Sequence, residues 1–420
     1  MTSVVTRRCV LGGFSAAAAA LALPAPARPA PSGGIAVANR VTAVNLTAPF
    51  KGPATLNARV RHTLTTAQAV QNLQLVYSNW ALSASGKDGE VDGPSPLTFR
   101  AALEIDNRVH RLTFNGGAPQ AVCPPGGDVV TDPLDLSVPA GSAVFSRTFF
   151  SGASDRFPRP LPIYREWGEY IEILNGGPDK TLATSSLPNF NTTAGYGPSA
   201  ILGTVARPQP AIAIIGDSIA NGSSGGDNVT TATDNLGYIA RAIANRYGFI
   251  RLTIPQDGLF AFTSDNRRRM NLLAGRITHA ICEHGINDVT VGRPFEQIRA
   301  KYLEQWTTLV EHGIKVFQCT LTPRTDSSDD HATLEGQRPV RGCEKGGVRQ
   351  QLNDWIRTAP APLQGYFEIA DRLESSRNSG LWKVDGTPAR FVHGEGGVHP
   401  TTYGHTLAAA AIDLARISPM

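Results

Sequence analysis

The fold is decided by the stretch Ala211-Ile212-Ala213-Ile214-Ile215-Gly216-Asp217-Ser218. Its five consecutive apolar residues predict a short strand buried on both faces, which is typical of a parallel sheet. The glycine, carboxylate and hydroxyl that follow suit an exposed nucleophile on a tight turn. Taken alone, Gly216-Asp217-Ser218 also fits an ordinary turn with a capping serine.

Strands and helices alternate after this stretch. Apolar runs predict strands at 250–254, 278–282, 315–320 and 366–370, and apolar residues at helical spacing predict helices at 236–244, 295–309, 348–355 and 402–417. Strands that alternate with helices imply a parallel sheet covered on both faces. We therefore expect an α/β domain with three layers, α/β/α, at residues 208–420.

The region before residue 200 follows a different pattern. Leu56, Ala58 and Val60 alternate with polar residues, and Gly/Pro-rich turns separate further β-prone runs at 73–77, 103–105, 109–114, 128–131, 143–150 and 170–174. Short runs of period two predict an all-β, sandwich-like domain without a helix of three turns. We place this domain at residues 39–200 and read 184–210 as a polar connector.

Length and composition limit the class of protein. A chain of 420 residues suits two domains, and 41% hydrophobic with 18% charged residues is typical of globular proteins. The net charge of +4 is spread along the chain. The one dense basic run, Arg267-Arg268-Arg269, is interpreted as a solvated helix face. We therefore expect no nucleic-acid partner.

The first thirty residues have the layout of a signal peptide. Arg7-Arg8 precedes an apolar, alanine-rich stretch at 10–23, and Ala25-Pro26-Ala27 fits a cleavage site. The paired arginines indicate the twin-arginine export route, so we expect a periplasmic or extracellular protein. The alternative is a short N-terminal anchor helix, but the run falls short of the ~20 residues that span a bilayer. After cleavage we expect no stable membrane insertion.

Five cysteines are present, and Cys9 lies in the predicted signal peptide. Export would permit disulfides among the other four. Cys319 and Cys343 flank one long loop and form the favoured pair, while buried, unpaired thiols are the alternative. Four scattered cysteines without CxxC spacing do not predict a structural zinc site.

Three further segments place chemistry at the ends of predicted elements. Asn287, after the third strand, has an amide that can donate to a developing oxyanion, and Gly258, after the second, offers a backbone N–H to the same atom. His399 precedes the last helix and can take a proton from a serine. Each segment alone fits a turn, but their order along the chain favours one site. His393, Glu395, His399 and His405 lack zinc-ligand spacing, so we expect neither a metal nor a cofactor.

This ordered set resembles the SGNH (GDSL-type) hydrolase family over residues 211–417. The blocks that carry the resemblance are Gly216-Asp217-Ser218, Gly258, Gly285-Ile286-Asn287-Asp288 and Val398-His399-Pro400. The resemblance implies a serine hydrolase of carboxylic esters with Ser218 as nucleophile and His399 as base. It implies an oxyanion hole made of the Ser218 and Gly258 backbone N–H groups and the Asn287 side chain.

One position departs from the family pattern. The family has an aspartate three residues before the histidine, and here that position is Gly396. Glu395 can substitute for it, Asp385 is a second candidate, and a Ser–His dyad oriented by a backbone carbonyl is a third. Loss of activity is the remaining alternative, because the orienting carboxylate contributes strongly in other triads.

The substrate follows from analogy rather than from any motif. Export and an appended β-domain favour a small-molecule or polysaccharide ester, with deacetylation of a carbohydrate first and a short-chain lipid or simple carboxylester second. Two alternatives belong to other classes: an acyltransferase that uses the same site, and a glycan-binding protein whose catalytic site has decayed.

Overall fold

The computed structural model describes residues 33–41, 54–83, 89–153, 161–174, 176–183, 192–222, 236–387, 390–394 and 396–417. The predicted signal peptide, with Cys9, and Glu395 lie outside these ranges, as does part of the predicted connector. Within the described ranges, no helix has the length and apolar character needed to cross a membrane.

The region before residue 206 is built of strands, and one 3-10 helix at Arg165–Trp167 is its helical element within the described ranges. The strands are β1 (Ile35–Ala36), β2 (Ala54–Thr63), β3 (Val70–Ser78), β4 (Trp80–Leu82), β5 (Glu90–Asp92), β6 (Leu97–Ile105), β7 (Arg108–Arg111), β8 (Ala121–Cys123), β9 (Asp128–Val130), β10 (Ala143–Gly152), β11 (Leu161–Ile163), β12 (Tyr170–Leu174), β13 (Thr192–Gly195) and β14 (Ala200–Val205). The predicted strands at 73–77, 128–131, 143–150 and 170–174 therefore have counterparts.

Two antiparallel sheets share one core in this region. One has the order β1-β14-β3-β9, and the other has the order β12-β2-β10-β6-β7, with β8 paired to β6. Leu56, Ala58 and Val60 of β2 are at most 2% exposed and belong to the same apolar cluster as Leu73 and Leu75 of β3. The period-two pattern predicted this inward face because alternate side chains of a strand point to opposite sides.

The second region contains a five-stranded, fully parallel sheet with the order β16-β15-β17-β18-β21. Its strands are β15 (Ile212–Gly216), β16 (Phe249–Thr253), β17 (His279–Cys282), β18 (Lys315–Cys319) and β21 (Gly365–Phe367), and a small hairpin is formed by β19 (Thr325–Ser327) and β20 (Gln337–Pro339). Every residue of β15 is buried, as its continuous apolar run predicted. The parallel sheet is therefore confirmed.

Nine helices accompany this sheet in the described part of the region: α1 (Ser218–Asn221), α2 (Tyr238–Ile243), α3 (Leu259–Ser264), α4 (Arg267–Leu273), α5 (Ile286–Thr290), α6 (Phe295–Glu311), α7 (Val348–Arg357), α8 (Ala370–Leu373) and α9 (Thr402–Ala409). Contacts link α1, α2, α8 and α9 in one group and α3, α5, α6 and α7 in another. The arrangement of these helices in three layers with the sheet stays a prediction.

The structure corrects several expectations. The last helix ends at Ala409, and the chain continues through turns to a 3-10 helix at Leu414–Arg416. The basic run does begin helix α4. Arg269, however, is 0% exposed, and its guanidinium pairs with buried acids. The interpretation as a solvated helix face is therefore wrong for Arg269. Helices α3, α4 and α5 have five to seven residues, too few to show a helical period in sequence.

The favoured disulfide is also wrong. Cys123, Cys282, Cys319 and Cys343 are all free and buried. Cys319 ends strand β18 beside the Tyr238 hydroxyl, whereas Cys343 lies near the Arg349 and Arg324 charges, so the two thiols face different surroundings. The alternative of buried, unpaired thiols is the one observed, and burial raises the pKa of Cys343 to about 11.

The two regions are joined by packing as well as by the chain. Trp80, Val76 and Leu202 of the β-region belong to the apolar cluster that contains the parallel sheet. The segment containing Ala36 and Ala38 adds backbone hydrogen bonds, from Ala36 N–H to Arg276 O and from Phe249 N–H to Ala38 O. The β-region is therefore packed against the α/β region through a shared core.

Candidate active site

Ser218 lies where the central strand β15 ends and helix α1 begins. A Cβ at Gly216 would lie 2.6 Å from Glu283 Oε2, so the close approach of that carboxylate requires glycine. The Asp217 side chain caps the helix by accepting the N–H of Ile219 at 2.9 Å. This turn places the Ser218 hydroxyl at the carboxyl edge of the sheet, where parallel sheets bind ligands.

His399 is brought to this serine across 181 positions of sequence. Its Nε2 lies 2.8 Å from Ser218 Oγ. The loop that carries it is held at Gly397, whose carbonyl accepts the indole N–H of Trp382 at 2.8 Å and the backbone N–H of Thr325 at 3.2 Å. The predicted nucleophile and base therefore lie within hydrogen-bond distance, on a turn and a loop that are both anchored.

Glu395 and Asp385 are the two carboxylates predicted as candidates for orienting His399. Glu395 lies outside the described residues. Asp385 is exposed, and its carboxylate accepts the Tyr403 hydroxyl at 3.0 Å and the Thr387 N–H at 3.0 Å. The Asp385 carboxylate is therefore hydrogen-bonded to other residues at the surface and does not contact His399.

The surroundings of His399 favour its neutral form. Burial lowers its pKa below 6.5, and electrostatic interactions with Arg324 and His393 lower it further. Arg324 is held beside the site by a hydrogen bond to Thr290 Oγ1 at 2.9 Å, at the end of helix α5. A neutral imidazole is the form that accepts a proton.

The two predicted oxyanion donors, Gly258 and Asn287, lie together beside Asp257. The Gly258 N–H donates to Asp257 Oδ1 at 3.0 Å, and Asn287 Nδ2 donates to Asp257 O at 2.9 Å. The same amide nitrogen donates to Asp217 Oδ2 at 3.0 Å. Both donors therefore have protein acceptors in this structure, one of which comes from the nucleophile turn itself.

Buried acids surround this edge of the sheet. Asp217 and Asp257 are 0% exposed, and Glu283 and Asp288 are 5% exposed. Burial raises the pKa of Glu283 to about 7, and burial and the Glu283 charge raise the pKa of Asp217 well above its ordinary value. Burial alone would raise the pKa of Asp257, but Arg269 and His284 outweigh it and lower that pKa. The ionised form is therefore favoured at Asp257 and disfavoured at Asp217 and Glu283.

Sequence reasoning missed this group of acids, although three of the four adjoin a predicted site residue. Asp217 precedes Ser218, Asp257 precedes Gly258, and Asp288 follows Asn287. The sequence signal that could have identified these acids was their position next to the predicted site residues. Arg269 carried no such signal, because it lies inside a basic run on a short helix. The described residues hold no group of three or more His, Cys, Asp or Glu side chains arranged to bind a metal ion.

One family model and several solved structures are similar to part of this chain. Residues 214–407 match the sequence model of the GDSL-like lipase/acylhydrolase family. Among solved structures, the chain is similar to a GDSL-like lipase from Bacteroides thetaiotaomicron, with 17% identity over 50% of this chain and 91% of that chain and a TM-score of 0.34. It is also similar to an acetylxylan esterase from Geobacillus stearothermophilus, with 15% identity over 50% and 94% of the two chains and a TM-score of 0.33. No curated protein matches the sequence.

Proposed function

We propose that this chain hydrolyses carboxylic esters through an acyl-serine intermediate, with Ser218 as nucleophile and His399 as base. The observation that carries the proposal is the 2.8 Å contact between His399 Nε2 and Ser218 Oγ at the carboxyl edge of the parallel sheet. The family match over residues 214–407 supports ester hydrolysis in general.

The reaction runs in two similar halves. Ser218 Oγ attacks the ester carbonyl carbon while its proton passes to His399 Nε2, and the tetrahedral intermediate then expels the alcohol, which takes that proton. Water attacks the acyl-serine and gives a proton to the same nitrogen. Collapse of the second intermediate releases the acid and returns the proton to Ser218.

The oxyanion of each intermediate is bound by the Ser218 N–H, the Gly258 N–H and the Asn287 amide in this proposal. Gly258 and Asn287 already donate to Asp257, so the oxyanion shares or replaces these acceptors. Burial and the Glu283 charge raise the pKa of Asp217, so the ionised form that would repel a negative oxygen nearby is disfavoured.

We propose that Glu395 or a backbone carbonyl orients His399, since Asp385 is engaged by Tyr403 and Thr387. Comparing Glu395→Gln with Asp385→Asn separates the two carboxylates. A loss of rate in the first variant alone assigns Glu395. Two variants that match the parent leave the carbonyl-oriented dyad.

We further propose that the protein is exported and that acetylated carbohydrates are its substrate class. The proposal of export rests on Arg7-Arg8 and the apolar stretch at 10–23. N-terminal sequencing of protein recovered from outside the cytoplasm tests the cleavage after residues 25–27. Release of acetate from acetylated oligosaccharides, compared with release from triacetin, tests the substrate class.

The deciding experiment is hydrolysis of p-nitrophenyl acetate by the mature chain and by its Ser218→Ala variant. We expect the variant to lose at least about 10³-fold in rate. Ser146→Ala is the matched control, because Ser146 has the same 2.8 Å contact with a histidine, His62, but is 0% exposed. Equal rates in the parent and in Ser218→Ala would reject the proposal.

A further inference from the structure

The β-region supplies a helix cap to the α/β region through Glu90 of strand β5. Its Oε1 accepts the backbone N–H of Arg269 at 2.7 Å, and its Oε2 accepts that of Arg268 at 2.9 Å. These N–H groups lie in the first turn of helix α4, and the side chain of its own N-cap residue, Asn266, makes no capping hydrogen bond. First-turn N–H groups lack acceptors within their helix, so Glu90 satisfies donors that would otherwise be buried unpaired.

The Arg269 side chain continues this contact towards the candidate active site. Its guanidinium is 0% exposed and donates to the carbonyl of Gly89 at 2.7 Å on one side and to Asp257 Oδ2 at 3.0 Å on the other. It also lies over the Phe262 ring of helix α3, with 4.9 Å between Cζ and the ring centroid. A planar guanidinium held at both ends has one orientation, so its position follows that of the β4–β5 hairpin.

Asp257 connects this guanidinium to both proposed oxyanion donors. One carboxylate oxygen faces Arg269 and the other accepts the Gly258 N–H at 3.0 Å, while the Asp257 carbonyl accepts the Asn287 amide at 2.9 Å. A rotation of the Asp257 side chain therefore alters the hydrogen bond at Gly258. The path from Glu90 to the site consists of direct contacts at every step.

The hairpin is seated tightly enough to act as a fixed support. A Cβ at Gly89 would lie 2.2 Å from Asp265 O and 2.3 Å from Ala261 O, so the backbone lies directly on helix α3. That helix begins immediately after Gly258. On its other strand, β4, Trp80 is fully buried in the shared core.

We propose that Glu90 is a positioning residue, acting through Arg269 and Asp257 on the oxyanion side of the active site, and that the β-region completes this site. The inference rests on the proposed function and deepens it, because it assigns the β-region a part in the reaction. The region is then not a detachable binding module.

The test compares Glu90→Gln with the full-length parent in p-nitrophenyl acetate hydrolysis, well below the melting temperature of both. A glutamine has no charge and replaces one carboxylate oxygen by an NH₂ donor, so one of the two backbone N–H groups loses its acceptor. We expect kcat to fall about tenfold with KM within about twofold, because the oxyanion forms only after substrate has bound. A purely structural role would lower the melting temperature and leave kcat of the folded protein unchanged.

Asp92→Asn is the matched control. Asp92 lies on the same strand, and its partner among the described residues is the Arg268 side chain; its own side chain is 51% exposed. We expect kcat of this variant to equal that of the parent. Arg269→Lys provides a second variant should Glu90→Gln not fold, because it keeps the charge and the capped backbone but cannot reach both Gly89 and Asp257. Its kcat should fall as well, and the double variant should lose no more than the worse single one.

The rate at which a fluorophosphonate labels Ser218 separates the two possible failures. An active, labelled parent together with a Glu90→Gln variant of unchanged kcat overturns this inference alone. A parent that is neither active nor labelled overturns the proposed function and this inference with it. A slower rate of labelling in Glu90→Gln and Arg269→Lys, with Asp92→Asn matching the parent, supports the positioning role.

Discussion

Two serine–histidine pairs in this molecule have the same geometry and different surroundings. His399 Nε2 lies 2.8 Å from Ser218 Oγ in the α/β region, and His62 Nε2 lies 2.8 Å from Ser146 Oγ in the β-region. His62 and Ser146 are 0% exposed, whereas Ser218 is 8% exposed and His399 is half-buried. The short contact alone therefore does not distinguish a catalytic pair from a structural one.

The difference lies in where each serine stands. Ser146 is in the middle of strand β10 and is 0% exposed, so no substrate carbonyl can approach its hydroxyl. Ser218 begins a helix at the end of a parallel strand, where the chain leaves the sheet. A reactive serine needs an open edge of this kind and hydrogen-bond donors for the developing charge.

The largest expected effect is a difference between substitutions of His399 and of His62. His399→Gln should lower kcat/KM for p-nitrophenyl acetate by about 10³-fold or more, because glutamine cannot take the serine proton. His62→Gln should keep kcat in the folded protein and lower the melting temperature. Steady-state kinetics and thermal unfolding of both variants measure this, and a His62→Gln variant that lost activity while folded would refute the comparison.

The buried histidine, His62, is expected to make the stability of the folded protein depend on pH. Burial lowers the pKa of His62 from 6.5 to about 3, so the unfolded chain binds a proton there that the folded chain does not. Stability from this group is present above pH 6.5 and is lost as pH falls towards 3. The free energy of unfolding should drop by about 4 kcal/mol between pH 7 and pH 3.5 through His62 alone.

Urea unfolding of the parent and of His62→Gln at a series of pH values isolates this contribution. The variant should be less stable at pH 7 and should show a shallower loss of stability on acidification. Parallel curves for the two proteins would mean that His62 is protonated in the folded state or does not control acid stability.

The smallest expected effect concerns the pH at which activity begins. Activity requires neutral His399, so kcat/KM should fall as pH drops through its pKa, which lies below 6.5. Arg324 lowers that pKa, so Arg324→Gln should move the acidic limb to higher pH, by less than about one unit. Arg324→Lys keeps the charge and is the matched control. A limb that stays in place or moves to lower pH in Arg324→Gln would contradict the assigned sign.

Sequence patterns predicted much of this structure where neighbouring residues decide it. The continuous apolar run before Gly216 became a strand buried along its whole length, and the alternation around Ala58 became the inner face of a sheet. Short helices were missed because one or two turns show no period. Arg269 was misread because composition does not reveal that a charged side chain meets acids from two distant segments.

The sequence by itself determined which chemical groups stand at the ends of the strands, because strand length and turn chemistry depend on residues close together in the chain. Tertiary structure alone decided that Ser218 meets His399 181 positions away and that Glu90 caps the N–H of Arg269 across 179 positions. Tertiary structure also decided how far each serine–histidine pair is buried. This burial distinguishes the accessible pair, Ser218 and His399, from the enclosed pair, Ser146 and His62. It depends on which faces of distant segments pack together, and no local pattern encodes that.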